Sequence, residues 1–237
     1  MKKCFFLAVL LLVFAATGAK AAEGPEYVGW RTCSKCHDQQ GASWRESGHA
    51  KAFESLKPNV KEEAKRNAGL DPAKDYTQDK NCVGCHVTGF GHASGYRIGM
   101  DANEARVLVG VGCESCHGAG GDYRREHAAA EDKLKTTGES TDRNVLVEAK
   151  QNFDYEKACA RCHLNYEGSQ WAETTLPLSP FTPTVDPKYH FDFDKAVRDT
   201  GEKKAVHTHY RLRGVFTGGS VPAIRAEIQK TAKEPEE

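Results

Sequence analysis

The chain has 237 residues, in which 33 lysines and arginines balance 33 aspartates and glutamates. This balance excludes the basic excess that nucleic-acid-binding proteins carry, and we expect the Lys/Glu-rich stretches to be solvated helix faces. Hydrophobic residues make up only 39% of the sequence, which is polar for a globular chain. Side chains alone therefore supply little apolar surface for a core.

The N-terminus has the pattern of a secretory signal peptide. Met1-Lys2-Lys3 precedes an apolar segment from Cys4 to Ala16, and the small-residue sequence Ala19-Lys20-Ala21 follows. We expect residues 1–22 to be cleaved as the signal peptide and residues 23–237 to form a single domain. A retained N-terminal anchor is the alternative. Loss of the three leader lysines makes the mature chain slightly acidic.

The pattern Cys-X-X-Cys-His occurs four times. It is the attachment signature of a c-type haem, because two thiols add to the porphyrin vinyl groups and the adjacent imidazole binds the iron. Zinc sites and disulfides also use paired cysteines, but neither explains a histidine after every second cysteine. We predict four covalently attached haem c groups. The expected thioether cysteines are Cys33, Cys36, Cys82, Cys85, Cys113, Cys116, Cys159 and Cys162, and the expected proximal ligands are His37, His86, His117 and His163.

Between the motifs the sequence predicts short helices and loops. Apolar spacing predicts a helix from Ala42 to Leu56 with His49 and Phe53 on one face. A helix that starts at Asp122 places Tyr123 and His127 four residues apart on one face. The other predictions are a charged helix at 60–68, a loop at 70–80, a glycine-rich loop at 89–99, a strand or buried extended segment at 107–111, a linker at 136–144, a helix at 145–150, an extended coil at 174–187, helices at 194–199 and 202–212, and an amphipathic tail from 223.

These elements predict a mainly α fold with much irregular coil, packed around four covalently bound haems. The spacing between motifs is irregular, so we expect one haem-packed domain rather than a tandem array. Porphyrin surface would complete the apolar core, because the hydrophobic effect depends on the area buried and not on its chemical origin. No run of residues after the leader approaches the roughly 20 apolar residues that span a bilayer.

Distal iron ligands are restricted by composition. Met100 is the one methionine besides Met1, so we expect bis-histidine ligation and low reduction potentials. The leading candidates are His49, His127 and His209, which lie on apolar or aromatic faces of predicted helices. Three candidates leave one iron open unless another histidine closes it. The remaining histidines are His92 and His190, which lie in irregular segments, and His207, which points away from the apolar face of its predicted helix.

Several longer segments resemble the cytochrome c-554 family of ammonia-oxidising bacteria, a family of tetrahaem c-type cytochromes. The similarity runs over essentially the whole mature chain and is far more specific than the haem motif alone. The segments that carry it are 54–61, 70–80, 110–118, 162–169 and 180–183, together with His209-Tyr210 and Gly214-Val215-Phe216.

The resemblance implies a periplasmic, mostly helical multihaem cytochrome that accepts electrons from hydroxylamine oxidoreductase and passes them towards the quinone pool through a membrane-bound cytochrome. The second haem, on His86, would be five-coordinate, with Ser179-Pro180-Phe181 near its open face. The implied axial pairs on the other three haems are His37 with His209, His117 with His49, and His163 with His127.

Two interpretations of function stay open. In the first, the protein is an electron carrier for redox partners. In the second, an open iron on His86 binds and reduces nitric oxide or another small nitrogen oxide. The choice depends on whether His92 or His190 closes that iron. The family is lysine-rich whereas this mature chain is slightly acidic, so docking to the same partners does not follow directly.

Overall fold

The computed structural model describes residues 24–167, 179–199, 204 and 206–236, so the expected signal peptide lies outside the described residues. The fold is helix-rich with much irregular coil. None of the described helices is long and apolar enough to cross a membrane. The helices are α1 Trp30–Cys33, α2 Asp38–Glu46, α3 Glu62–Asn67, α4 Lys80–His86, α5 Ala102–Ala105, α6 Cys113–His117, α7 Gly120–Thr137, α8 Asn144–Glu148, α9 Tyr155–His163, α10 Phe193–Arg198 and α11 Ala223–Thr231, and the strands are β1 Thr141–Asp142 and β2 Phe216–Thr217.

The haem motifs coincide with helix ends. The helices α4, α6 and α9 each end at a motif histidine, whereas α1 ends at Cys33 and leaves His37 to precede α2. Aspartate caps begin two of these helices: the Asp79 carboxylate accepts the Asn81 N–H before α4, and the Asp154 carboxylate accepts the Lys157 N–H before α9. Such caps satisfy N–H groups that a first helical turn leaves without partners.

The side-chain core surrounds the second motif. Val83, inside Cys82-Val83-Gly84-Cys85-His86, is completely buried. Val87 pairs with Val109 in an isolated antiparallel bridge. The predicted strand or extended segment at 107–111 is wrong apart from this bridge, because residues 107 and 108 lie in a turn that follows α5. By contrast, α9 contains no buried residue although it carries a motif. The members of the core cluster are Leu56, Tyr76, Val83, Val87, Tyr96 and Leu108.

The predicted helix at 42–56 is interrupted. Helix α2 ends at Glu46, and the chain reaches the short 3₁₀ turn Phe53–Leu56 through a series of turns. Ser47 is extended at this break, and its hydroxyl accepts the Ala50 N–H at 3.3 Å. Serine followed by glycine favours such local hydrogen bonds over continued helix. His49 therefore lies in a turn and not on a helical face.

The predicted helix at 202–212 is wrong over its described part. Residues 206–212 are not helical, and Tyr210 instead forms a parallel bridge with Lys233. The predicted helix at 122–135 is confirmed as α7, although it starts at Gly120, so Asp122 lies in its first turn and is not the cap. Within the predicted linker at 136–144, β1 pairs in parallel with β2.

A buried carboxylate ties the N-terminal segment to the third motif. Glu114 is only 2% exposed. Its carboxylate accepts N–H bonds from Gly29 at 2.7 Å, from Gly120 at 2.7 Å and from Val28 at 2.9 Å. Burial raises the pKa of Glu114, and the backbone donors oppose that rise. One side chain therefore holds the lead-in to α1, the motif helix α6 and the start of α7 together.

Replacing Glu114 with alanine is expected to lower the free energy of unfolding by about 3 kcal/mol, because several buried backbone N–H groups lose their acceptor. Guanidinium denaturation of the haem-loaded protein, followed by far-ultraviolet circular dichroism, measures the change. The control is Glu156→Ala, which removes an exposed carboxylate. Equal denaturation midpoints for the two variants would contradict the structural role of Glu114.

Candidate haem sites

None of the eight motif cysteines forms a disulfide, and several of them meet across motifs. The Cys33 and Cys113 thiols are close enough to hydrogen-bond, which raises the pKa of Cys33. The Cys85 thiol hydrogen-bonds with that of Cys162, which raises the pKa of Cys162. These two contacts join the first motif to the third and the second motif to the fourth.

The third and fourth motifs are also neighbours. Burial raises the pKa of Cys116 to about 12, and the nearby Cys159 thiol adds to this shift. Helices α6 and α9, which carry these cysteines, are in contact. The motifs therefore follow one another in space in the order first, third, fourth, second, which differs from their order in the sequence.

Three motif histidines face a second imidazole at similar distances. The ring centres are 6.1 Å apart for His37 and His127, 5.9 Å for His163 and His49, and 6.5 Å for His117 and His207. Two imidazoles on opposite sides of one first-row metal ion, each bound at about 2.0–2.1 Å, have ring centres roughly 6 Å apart. The three separations fit bis-histidine ligation.

Hydrogen bonds orient two of the partner imidazoles. The Nδ1–H of His207 donates to the Thr208 carbonyl oxygen at 2.8 Å, which leaves Nε2 free to bind a metal. The Nε2–H of His127 donates to the Gln151 side-chain oxygen at 2.9 Å, which leaves Nδ1 free. Metal-binding histidines commonly donate their other N–H to a carbonyl or carboxylate in this way.

The third motif histidine has a buried ring nitrogen. Burial lowers the pKa of His117 to about 3, with a further contribution from nearby His207. Its Nδ1 is buried without a hydrogen-bond partner. The ring also lies 5.6 Å from that of Tyr155, edge to face. A neutral imidazole with a free nitrogen is the form that binds iron.

The second motif histidine has different surroundings. The His86 Nδ1–H donates to the Ala52 carbonyl at 2.6 Å, with the Ser55 hydroxyl 3.2 Å away. Among ring contacts of the described residues, none gives His86 an imidazole partner. His92 instead lies against Tyr27, with ring centres 5.3 Å apart, and His190 is exposed. The His86 site therefore differs from the other three.

The pairs that the structure brings together are not those that the resemblance implied. The expectation for His117 was His49, but the structure places His207 there and puts His49 beside His163. His209 donates its Nε2–H to the Val197 carbonyl at 2.7 Å and shows no ring contact with His37 among the described residues. The predicted helix at 202–212 directed His207 away from the apolar face, so His207 was not a leading candidate. Residues 206–212 are not helical, and His207 can therefore face His117.

The segment Ser179-Pro180-Phe181, which the resemblance placed near the open face of the second haem, contacts a residue just after the fourth motif. The Ser179 N–H donates to the side-chain oxygen of Asn165 at 3.0 Å, and the Phe181 ring meets that of Tyr189 edge to face at 5.4 Å. Asn165 is completely buried, and its side-chain nitrogen has no partner. Among the described residues, the hydrogen bonds and ring contacts of Ser179 and Phe181 do not include His86. The location of Ser179, Pro180 and Phe181 at the second haem therefore stays a prediction.

The donor set fits haem better than zinc. In the described residues, no three His, Cys, Asp or Glu side chains converge as a structural zinc site requires. Two cysteines within each motif that are not in disulfides, together with facing imidazole pairs, are instead what covalent haem attachment and axial ligation need. The fold and these sites define a multihaem c-type cytochrome.

Comparisons with known proteins identify the family. A family model described as "Cytochrome c554 and c-prime" matches residues 32–118. The chain is 48% identical to cytochrome c-554 of Nitrosomonas europaea over 98% of its own length and 96% of that protein. A structure of reduced cytochrome c554 from the same organism matches with a TM-score of 0.82 and 50% identity, covering 89% of this chain and 98% of that one.

The chain belongs to the cytochrome c-554 family. It is accordingly a c-type cytochrome that carries electrons on covalently attached haem c groups, and its four attachment motifs match a tetrahaem protein.

Replacing Cys82 and Cys85 together with serine is expected to reduce the covalently bound haem from four per chain to three, because these thiols form the thioether bonds of one site. Intact-mass spectrometry and the pyridine haemochrome spectrum measure this ratio. Cys4→Ser is the control, since Cys4 lies in the expected leader. Retention of all haem in the double variant would contradict the assignment of this motif.

Proposed function

We propose that this protein is a periplasmic tetrahaem electron relay that accepts electrons from hydroxylamine oxidoreductase or a related donor and passes them towards a membrane-bound, quinone-linked cytochrome. The observation that carries this proposal is the continuous spatial order of the four motifs, together with three facing imidazole pairs. Each motif except those at the two ends has a motif neighbour on either side. Such a series supports relay of electrons between partners that dock at different places.

The ligand assignment follows the observed ring contacts. The proximal ligands are the motif histidines, and the proposed axial pairs are His37 with His127, His117 with His207, and His163 with His49. This assignment replaces the pairing inferred from the resemblance and substitutes His207 for His209. His86 has no proposed distal histidine.

The chain contributes rigid ligand positions. Haem iron supplies one-electron chemistry when bound, and bis-histidine ligation without methionine favours low potentials. Burial lowers the pKa of His117 and so keeps its imidazole neutral. Hydrogen bonds from His127 and His207 fix which nitrogen faces the metal. Fixed ligands limit rearrangement when the iron changes oxidation state, which suits rapid electron transfer.

Export and partner choice complete the proposal. Residues 1–22 are proposed to be a cleaved signal peptide, and residues 23–237 a single tetrahaem domain. Covalent attachment of haem c outside the cytoplasm is consistent with this export. The slightly acidic mature chain favours partner surfaces with basic side chains near the docking haem, since complementary charge increases the association rate.

A second function is supported by the surroundings of His86. Because no imidazole partner faces it in the described part of the chain, an iron bound there has an open face for a small ligand. Reduction of nitric oxide at this site, with the other haems as electron store, is the alternative to simple relay. Ser179, Pro180 and Phe181 are proposed to border this open face.

The oxidised protein is expected to contain one high-spin haem and three low-spin haems, counted by electron paramagnetic resonance. His207→Ala should add a second high-spin haem because it removes a distal ligand, whereas His209→Ala should leave the count unchanged. The reverse result would restore the pairing implied by the family resemblance. Absence of any high-spin signal in the unaltered protein would show that His86 has a distal ligand.

Stopped-flow mixing with nitric oxide tests the second function separately. Nitric oxide is expected to bind at one haem per protein, and electrons from the other haems should then be consumed in a single-turnover experiment if reduction occurs. Binding of nitric oxide without electron consumption would contradict the reductase function and leave electron relay as the one supported function. If His92→Ala or His190→Ala creates a new high-spin signal, that histidine is a ligand.

A further inference from the structure

The segment that presents His207 is held by a buried hydroxyl pair. The Thr208 N–H donates to the Ser43 hydroxyl oxygen at 2.7 Å, and the Ser43 hydroxyl donates to that of Thr208 at 2.9 Å. Both side chains are buried, at 8% and 5% exposure. The two residues are 165 positions apart in the sequence, so this is a long-range contact between separate parts of the fold.

Thr208 also contacts the imidazole of His207. The Thr208 carbonyl accepts the Nδ1–H of His207 at 2.8 Å, and the centre of the His207 ring lies 6.5 Å from that of the His117 ring. Because the Thr208 backbone is fixed by Ser43, the acceptor that orients His207 is fixed as well. Residues 206–212 have no helix of their own that would hold this ring in place.

Helix α2 also holds the opposite side of the third site. Trp44, next to Ser43, donates its indole N–H to the Val111 carbonyl at 2.9 Å, just before the third motif. Adjacent residues of one helix therefore bind the lead-in to His117 and the segment that carries His207. The helix sets the separation between the two imidazoles.

We propose that Ser43 is a positioning residue that holds His207 as distal ligand of the third haem. This inference rests on the proposed function, in which His207 is that ligand. A helix that follows directly from the first haem motif then controls the coordination of the third. In the described part of the chain, the side-chain hydrogen bonds of Ser43 go to Thr208 and not to either imidazole, so Ser43 acts through Thr208.

The test measures carbon monoxide binding to the reduced, haem-loaded protein and the high-spin count of the oxidised protein. Carbon monoxide must displace a distal histidine before it binds at a six-coordinate haem. Ser43→Ala is expected to increase the rate of this displacement at one haem by about tenfold, the combined effect of losing both buried hydrogen bonds between Ser43 and Thr208. Ser43→Thr retains the hydroxyl and should restore the slow rate.

Two controls separate a local effect from general destabilisation. Thr77→Val removes another buried hydroxyl, which bonds to Asp75. Asp75 does not belong to a segment that carries a distal histidine, so this variant should leave the displacement rate unchanged. His207→Ala should open one additional haem to carbon monoxide without a displacement step. If His207→Ala opens no additional haem, the ligand assignment and this inference both fail.

If His207→Ala opens a haem but Ser43→Ala behaves as the unaltered protein, the positioning role of Ser43 is overturned and the proposed function stands. Should Ser43→Ala yield no haem-loaded protein, Thr208→Val provides the measurement. It removes one of the two hydrogen bonds but keeps the backbone N–H bond to Ser43, so a smaller increase of roughly threefold is expected. An unchanged rate in Thr208→Val would then overturn the role.

Discussion

The spacing of two imidazoles across one iron is the constraint on which the rest of this structure depends. Proximal histidines are supplied locally by the motifs, but their partners come from distant segments such as the turn at His49, helix α7 and the irregular chain at His207. Ring centres must be held roughly 6 Å apart in each pair. The side-chain core lies mainly around the second motif, so long-range hydrogen bonds elsewhere carry much of this positioning.

Features that depend on residues close together in the sequence could be predicted, whereas features that depend on contacts between distant residues could not. The motifs, the haem count and helix α7 follow from local spacing, and the family resemblance follows from longer matching segments. The partner of each motif histidine does not, because it is fixed by contacts such as Ser43 with Thr208 that join residues far apart in the chain. Helical periodicity placed His209 on an apolar face, but the described part of that segment is not helical.

His207 shows which sequence signal was overlooked. Without a helix at 202–212, the sequence offered no reason to prefer His209 over His207, so the two were equivalent candidates. Their different hydrogen bonds separate them. His207 donates to the carbonyl of its neighbour and faces His117, whereas His209 donates to Val197. Only tertiary structure supplies those partners, so periodicity could not choose between them.

One turn region links the second and fourth motifs. His49 faces His163, and only three residues later the Ala52 carbonyl accepts the N–H of His86. The break in the helix after Glu46 makes this possible, because a continuous helix would direct the Ala52 carbonyl along its own axis to a residue four positions ahead. In the short 3₁₀ turn that follows, the Ala52 carbonyl accepts the Ser55 N–H at 3.1 Å and the Ser55 hydroxyl at 2.6 Å. It still reaches His86, the one motif histidine without an imidazole partner in the described chain. The same short segment holds a distal candidate at the fourth site and orients the proximal ligand at the second, so the two sites share a structural support although their motifs are far apart in sequence.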